Sequence, residues 1–283
     1  MSAVFRDSGN PAREIKKMKH LFSEWKVIRE KIEGGSVYLM LDFDGTLTAI
    51  RRDPDKARLS GGAVRILKRA ARTPGIDLSI ISGRSLKDIR KRVGIEGLTY
   101  AGNHGLEIQG PGIKFSASGP AKIKRTMSLI AGELRGEFRK IKGVIIEHKG
   151  LTVSVHFRMV KSSGEGDVEE VFKRVTAPYV SKKKIMITPG KKIWEVRPPV
   201  KWDKGRTALF LIEKKRKTIK KILPIYLGDD RTDEDAFKAI GNAGICVFVG
   251  RPGRSAAPYY LRGAAEVSGF IRRVTEMKKG ERR

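Results

Sequence analysis

The chain has 283 residues, with 60 Lys and Arg against 31 Asp and Glu, a formal net charge of +29. Apolar residues make up 40% of it, enough for a sizeable core, but runs such as Val37–Leu41 fall far short of the ~20 needed to span a membrane. The single cysteine, Cys246, excludes an internal disulfide or a cysteine-built metal site.

A length of this order is expected to hold about two domains. Residues 12 to 33 carry a broken helical pattern, with Ile15, Met18, Leu21, Phe22, Trp25 and Ile28 roughly on one face, and are expected as an N-terminal helical extension (1–34). Val37–Leu41 reads as a buried strand running straight into Asp42. A helix is expected over about Ser60–Arg72, then a strand at Leu78–Ile81, then a helix opened by Ser85 with Asp88 three residues on. Leu106–Phe115 looks like a hairpin around Gly110-Pro111-Gly112. Leu151–Phe157 and part of Ile185–Val196 alternate apolar and polar, as a half-exposed antiparallel sheet does, with helices at about 121–140 and 166–176 to cover it. Strands return at Pro224–Leu227 and Ile245–Val249. The expected fold is α/β: a Rossmann-like parallel sheet core (35–108 and 198–283) interrupted by an α+β cap (109–197), with hinges at Ile108 and near Lys201.

The charge is spread along the chain, with modest knots at Lys182–Lys184, Lys214–Lys217 and Lys278–Arg283. There is no zinc-finger spacing and no RNP-type strand, so a solvated basic surface is expected rather than a nucleic-acid partner. The first thirty residues hold no apolar leader stretch, and a cytoplasmic chain is expected.

Two carboxylate groups carry the chemistry. Asp42 and Asp44 follow a buried strand, and alternate residues of an extended segment point the same way. Gly45 permits a tight exit turn. Asp229 and Asp230 follow a second apolar strand, in Gly228-Asp229-Asp230-Arg231-Thr232-Asp233-Glu234-Asp235, where Thr232 and Asp235 have the spacing of a capping box. Together they form an oxygen-rich site suited to a hard cation, with magnesium the natural occupant. A carboxylate pair beside such an ion points to phosphoryl transfer through an aspartyl-phosphate, which needs positive charge and aligned donors. Ser82 at a strand end and Lys204 before Gly205 supply a hydroxyl and a cation in the right order.

At these residues the sequence resembles the haloacid dehalogenase superfamily, whose four motifs match Asp42-Phe43-Asp44, Ser82, Lys204 and Gly228-Asp229-Asp230. The insert between the second and third resembles that superfamily's type-two cap. Four longer strings are similar to the trehalose-6-phosphate phosphatase family: Ala101–Glu107, Val155–Arg158, Trp194–Pro198 and Gly228–Phe237. Ala49 departs from a proline common in that family. The resemblance implies a stand-alone, magnesium-dependent phosphatase acting on a small sugar phosphate; no membrane partner is expected, and the sequence leaves the oligomeric state open, with a monomer favoured. Asp42 would be the nucleophile and Asp44 the acid and base. Asp42, the Asp44 carbonyl and Asp229 would hold the metal, supported by Asp233, with Asp230 beside them. Ser82 and Lys204 would hold the phosphate. Arg84, Asn103, His104 and Glu107 on the core, with Arg158, Lys191 and Glu195 on the cap, would face the sugar. The residues leave other readings open: a different phosphosugar (sucrose-6-phosphate, mannosyl-phosphoglycerate or a hexose phosphate), or a non-catalytic anion- or nucleic-acid-binding protein. His104 also suits a plain turn, and Arg158 or Glu195 a solvated position.

Overall fold

The computed structural model describes residues 18–50, 56–117, 120–190 and 192–281. In chain order, β1 (Lys19–His20) and α1 (Trp25–Ile32) precede β2 (Ser36–Leu41), α2 (Gly61–Ala71), β3 (Ile76–Ile81), α3 (Leu86–Val93) and β4 (Thr99–Gly102). The hairpin strands β5 (Glu107–Gly110) and β6 (Ile113–Ser116) come next. Then follow α4 (Pro120–Glu137), β7 (Ile145–His148), β8 (Val153–His156), α5 (Glu165–Ser181), β9 (Met186–Gly190) and β10 (Ile193–Arg197). The chain ends with α6 (Lys204–Arg216), β11 (Ile222–Gly228), α7 (Asp233–Ile240), β12 (Ile245–Val249), β13 (Tyr259–Leu261) and α8 (Ala264–Gly280).

Nine strands form one sheet in the order β1-β13-β12-β11-β2-β3-β4-β5-β6. The pairings from β1 to β4 are parallel, and β5 and β6 extend the edge antiparallel. Strand β2 is buried on both faces, as a parallel strand under two helical layers must be. Its period-two side chains divide cleanly. Val37, Leu39 and Leu41 join Ile28, Leu67, Ile89 and Phe270 of α1, α2, α3 and α8, while Tyr38 and Met40 join Leu211 and Phe237 of α6 and α7. Each such buried side chain contributes about 1.5–3 kcal/mol. Ser85 accepts the Asp88 amide and caps α3 as the sequence predicts, and Ser60 caps α2 in the same way by accepting the Ala63 amide.

The expected boundaries shift in two places. Residues 109–116, expected at the start of the cap, pair with β4 through the hairpin and so continue the core sheet. Ile108, expected as a hinge, is laddered on both sides, to Ala101 and Phe115, and cannot bend freely. The chain leaves the sheet only after Ser116. At the other end, residues 18–34 are part of the core rather than an appendage. β1 pairs with β13, Leu21 and Ile32 are buried in the core, and Trp25 packs edge-on against Phe270. The buried Lys278 ammonium donates to the Ile32 carbonyl at 2.6 Å, closing the end of α1, with Glu281 at 2.8 Å balancing its charge. Residues 12–17 of the predicted helix lie outside the described residues.

The cap is a four-stranded antiparallel sheet, β7-β8-β10-β9. One face is covered by α4 and α5, whose Ile130, Leu134, Val168 and Phe172 meet Val153, Val155 and Val196. Trp194 stacks between Phe157 and Phe172, with centroids 4.2 and 4.5 Å away. The register sets Glu147, Ser154 and Glu195 side by side on three adjacent strands, and alternation turns that row to the opposite face.

Candidate active site

From β2 the strand order runs one way through β3 and β4 and the other way through β11, β12 and β13. The carboxyl ends of β2 and β11 flank this reversal, where open α/β sheets bind ligands. β2 ends at Leu41 and β11 at Gly228, so Asp42 and Asp229 emerge there together, and the Asp42 amide still donates to the Leu227 carbonyl at 2.9 Å. One carboxylate oxygen each from Asp42, Asp229 and Asp233 falls within 4.8 Å of the others. Gly45, at φ +87°, lies so close to Asp229 that a Cβ would overlap its carboxylate. Gly228 is confined in the same way against Asp233.

Lys204, the first residue of α6, is buried at the centre, its ammonium 2.7 Å from Asp42 Oδ1 and 2.7 Å from Asp233 Oδ1. Burial disfavours its charge, but these two carboxylates outweigh that and hold it firmly protonated. Asp233 is the best-satisfied acid. Oδ1 accepts from Lys204 and from the Tyr226 hydroxyl at 2.8 Å, and Oδ2 from the Asp229 and Asp230 amides at 3.1 Å. Burial raises the Asp42 carboxyl well above its ordinary range; Lys204 opposes this and the neighbouring carboxylates add to it. Asp229 is pushed up to about 7 by burial and by Asp233 and Asp230. Such uncompensated negative charge among oxygen donors fits a hard divalent cation. Asp230, despite partial burial, is held well below the usual range by Lys204 and Thr232. It also replaces the expected capping box: its Oδ1 accepts from the Thr232 amide and hydroxyl at 2.8 and 2.6 Å, while Thr232 itself caps nothing.

Asp44 is half exposed, and both its oxygens are taken by Arg84, at 2.7 Å from Nε and from Nη2. Arg84, expected to touch sugar, is thus engaged with Asp44 and also with Asp88 at 3.0 Å. Ser82 is fully buried and its Oγ accepts the Arg84 amide at 3.1 Å. Asn103 and His104 both have positive φ, 50° and 57°, in the turn after β4, held by hydrogen bonds that their backbone N–H groups donate to the Arg84 and Ser82 carbonyls. This contortion ties core to cap. Asn103 donates to the Lys149 carbonyl at 3.2 Å and accepts from Thr152 at 3.1 Å, and it reaches Glu107 at 3.4 Å. His104 faces Glu195 at 3.4 Å.

Glu195 is nearly buried among His104, Lys149 at 3.8 Å and Arg197 at 3.9 Å. Burial resists its ionisation, yet these groups outweigh burial and bring it down to about 2. Arg158 is exposed in the turn after β8, and no described contact joins it to this group, because the ladder ends at His156. Lys191 lies outside the described residues. The sequence reading omitted Glu147 and Lys149, which are 3.7 Å apart on the face toward Glu195; Glu147 also accepts from His156 at 3.1 Å. The available signal was the alternation of Val144 and Ile146 with the polar Glu147, on a strand of only four residues.

A parallel core with paired carboxylates at its switch point and an inserted cap is the architecture of the haloacid dehalogenase-like hydrolases. The chain superposes on one such hydrolase from Bacteroides thetaiotaomicron with a TM-score of 0.59 at 17% identity, over 85% of this chain and 100% of that one. It superposes on the C-terminal domain of the C. albicans trehalose-6-phosphate phosphatase with a TM-score of 0.74 at 21% identity, over 93% and 99%. Residues 40–260 match the trehalose-phosphatase family model, and the chain belongs to that family. It is 35% identical to the probable trehalose-phosphate phosphatase D of Arabidopsis thaliana, over 89% of this chain and 70% of that one. Against the trehalose-phosphate phosphatase of Mycobacterium tuberculosis it is 36% identical over 83% of its own length, spanning 60% of the relative. No helix among the described residues is long and apolar enough to cross a membrane.

Proposed function

We propose that this chain is a magnesium-dependent phosphatase that hydrolyses trehalose-6-phosphate to trehalose and inorganic phosphate, acting as a cytoplasmic monomer. The reading is carried by one arrangement: Asp42 pinned by a buried Lys204 at a strand end, with Asp44 two residues on and forked by Arg84. Asp42 attacks phosphorus; the bond from phosphorus to the sugar oxygen breaks, and that oxygen takes a proton from Asp44, which for this step is protonated on an oxygen released from Arg84. Water then attacks the aspartyl-phosphate, giving its proton back to Asp44, and the bond to Asp42 breaks to release phosphate. Lys204 and Ser82 steady the charge that builds on the phosphoryl oxygens. Asp42, the Asp44 carbonyl and Asp229 would hold magnesium, which supplies charge neutralisation as an anionic nucleophile meets an anionic ester. Asp233, with all its acceptor positions engaged, orients the Asp229–Asp230 turn from behind. The cap row of Glu147 and Glu195, with Lys149 beside them, offers acceptors and a donor suited to sugar hydroxyls.

The test is phosphate release from a panel of sugar phosphates, with magnesium and with chelator. Trehalose-6-phosphate should be the preferred substrate, and Asp42→Asn should lower its turnover by at least about 10⁴-fold, as loss of a nucleophile does elsewhere. Preference for another phosphosugar would overturn the substrate, and a fully active Asp42→Asn the mechanism.

A further inference from the structure

Asp44 is not placed by Arg84 alone. Arg84 gives Nε and Nη2 to the two Asp44 oxygens and Nη1 to Asp88 Oδ2, at 2.7, 2.7 and 3.0 Å. Asp88 Oδ2 also accepts Arg92 Nε at 2.7 Å, and Arg92 Nη1 reaches the Ala57 carbonyl at 3.1 Å. Asp88 sits in the first turn of α3, where its amide is bound by the Ser85 cap. A row of alternating charge, Asp44–Arg84–Asp88–Arg92, therefore runs from the reacting carboxylate to the frame of a helix. The Arg84 and Arg92 side chains are almost buried, and the Arg84 guanidinium lies 5.6 Å above the Phe43 ring.

A planar guanidinium forked to a carboxylate forms a rigid unit, but one free to rock as a whole. Asp88 grips the part of the guanidinium that Asp44 leaves unused. When Asp44 frees one oxygen to reach the sugar oxygen, the guanidinium stays where Asp88 holds it, and Asp44 has one place to return to for the water step. We propose that Asp88, anchored by Arg92, is a positioning residue that sets Arg84 and through it the line along which Asp44 meets the leaving group. The proposal rests on Asp44 being the proton donor described above.

The test compares Asp88→Asn and Arg92→Gln with the wild-type enzyme at saturating magnesium. For trehalose-6-phosphate, Asp88→Asn should lower kcat about 10–100-fold, the cost of a misplaced reacting group, with KM changed less than about threefold. With p-nitrophenyl phosphate, whose leaving group departs without a proton, the first turnover should keep its wild-type rate. A burst of one p-nitrophenolate per enzyme should precede a slowed steady state, because the water step still uses Asp44. Arg92→Gln should give the same pattern at smaller size, and it decides the matter should Asp88→Asn fail to fold. Equal loss in the burst and in sugar-phosphate turnover, or a change confined to KM, overturns the proposal. Should the wild-type enzyme reject trehalose-6-phosphate, the substrate reading fails by itself, and the comparison is made on whichever alkyl phosphate the panel shows to be turned over.

Discussion

Lys204→Met tests whether the buried ammonium is the counter-charge on which the acidic site depends. Its nitrogen lies 2.7 Å from both Asp42 and Asp233, and all three side chains are buried. At an effective dielectric of about 20, each contact is worth about 6 kcal/mol of gross attraction. The fold does not lose that sum, because methionine spares the burial of an ammonium and the abandoned carboxylates can take up protons. One-sided deletion of a buried ion pair costs about 3–5 kcal/mol net, a large share of the 5–15 kcal/mol that holds a domain together. Urea unfolding in chelator at about pH 7.5 should show a deficit of this size. Its pH dependence has a definite sign. Both acids are already raised in the wild type and would be raised further in the variant, so near pH 7.5 the variant's folded state binds more protons than the wild type's and its stability falls more steeply as pH rises. The deficit should therefore shrink at about pH 5. A deficit below about 1 kcal/mol, or one that is the same at both pH values, would refute the reasoning.

Two further expectations concern the metal and the cap. The Asp229 carboxyl is raised to about 7, so without metal its contribution to stability is greatest below its ordinary value and is lost as pH rises toward 7. Magnesium must displace that proton; the rise in Tm on adding it should be larger at about pH 7.5 than at about pH 5, and equal gains would count against a site at Asp229. Glu195→Gln should raise KM for trehalose-6-phosphate about 10-fold, the value of one charge-assisted hydrogen bond, and leave p-nitrophenyl phosphate unaffected. Steady-state kinetics on both substrates would check this, with equal losses assigning Glu195 to structure alone.

The carboxylates of the candidate site were legible because each group follows an apolar strand, and a charge placed at the end of a buried strand demands a partner. Lys204 was legible only by its order in the chain, since nothing local distinguishes it from 59 other cations. The hairpin at 107–116 was read as a hairpin but given to the wrong sheet: its alternation fixes which face is buried, and says nothing of which strand it joins. β1 and β13, of two and three residues, are too short to display a period. At the N-terminus of α7 the sequence pointed to Thr232 alone, but in the fold Asp230 takes that place, its oxygen accepting from both the Thr232 amide and the hydroxyl that would have capped.

The two halves of the site are specified in different ways, and this bears on what each can vary. In the core, several pairs of the candidate site are set by short-range spacing: Asp42 and Asp44 at i and i+2, Asp229 and Asp233 at i and i+4, Arg84 and Asp88 at i and i+4. Such geometry follows from one strand end or one helical turn and survives changes elsewhere. On the cap, Glu147, Ser154 and Glu195 come together only through the pairing of three strands, and Asn103 fixes that sheet to the core through the Lys149 carbonyl and Thr152. A shift of one residue in β7 or β10 would turn its glutamate to the apolar side. The pairs in the core are thus legible locally, whereas Lys204 and the cap row reach the site only through the fold, which is why Glu147 and Lys149 emerged only from the folded chain.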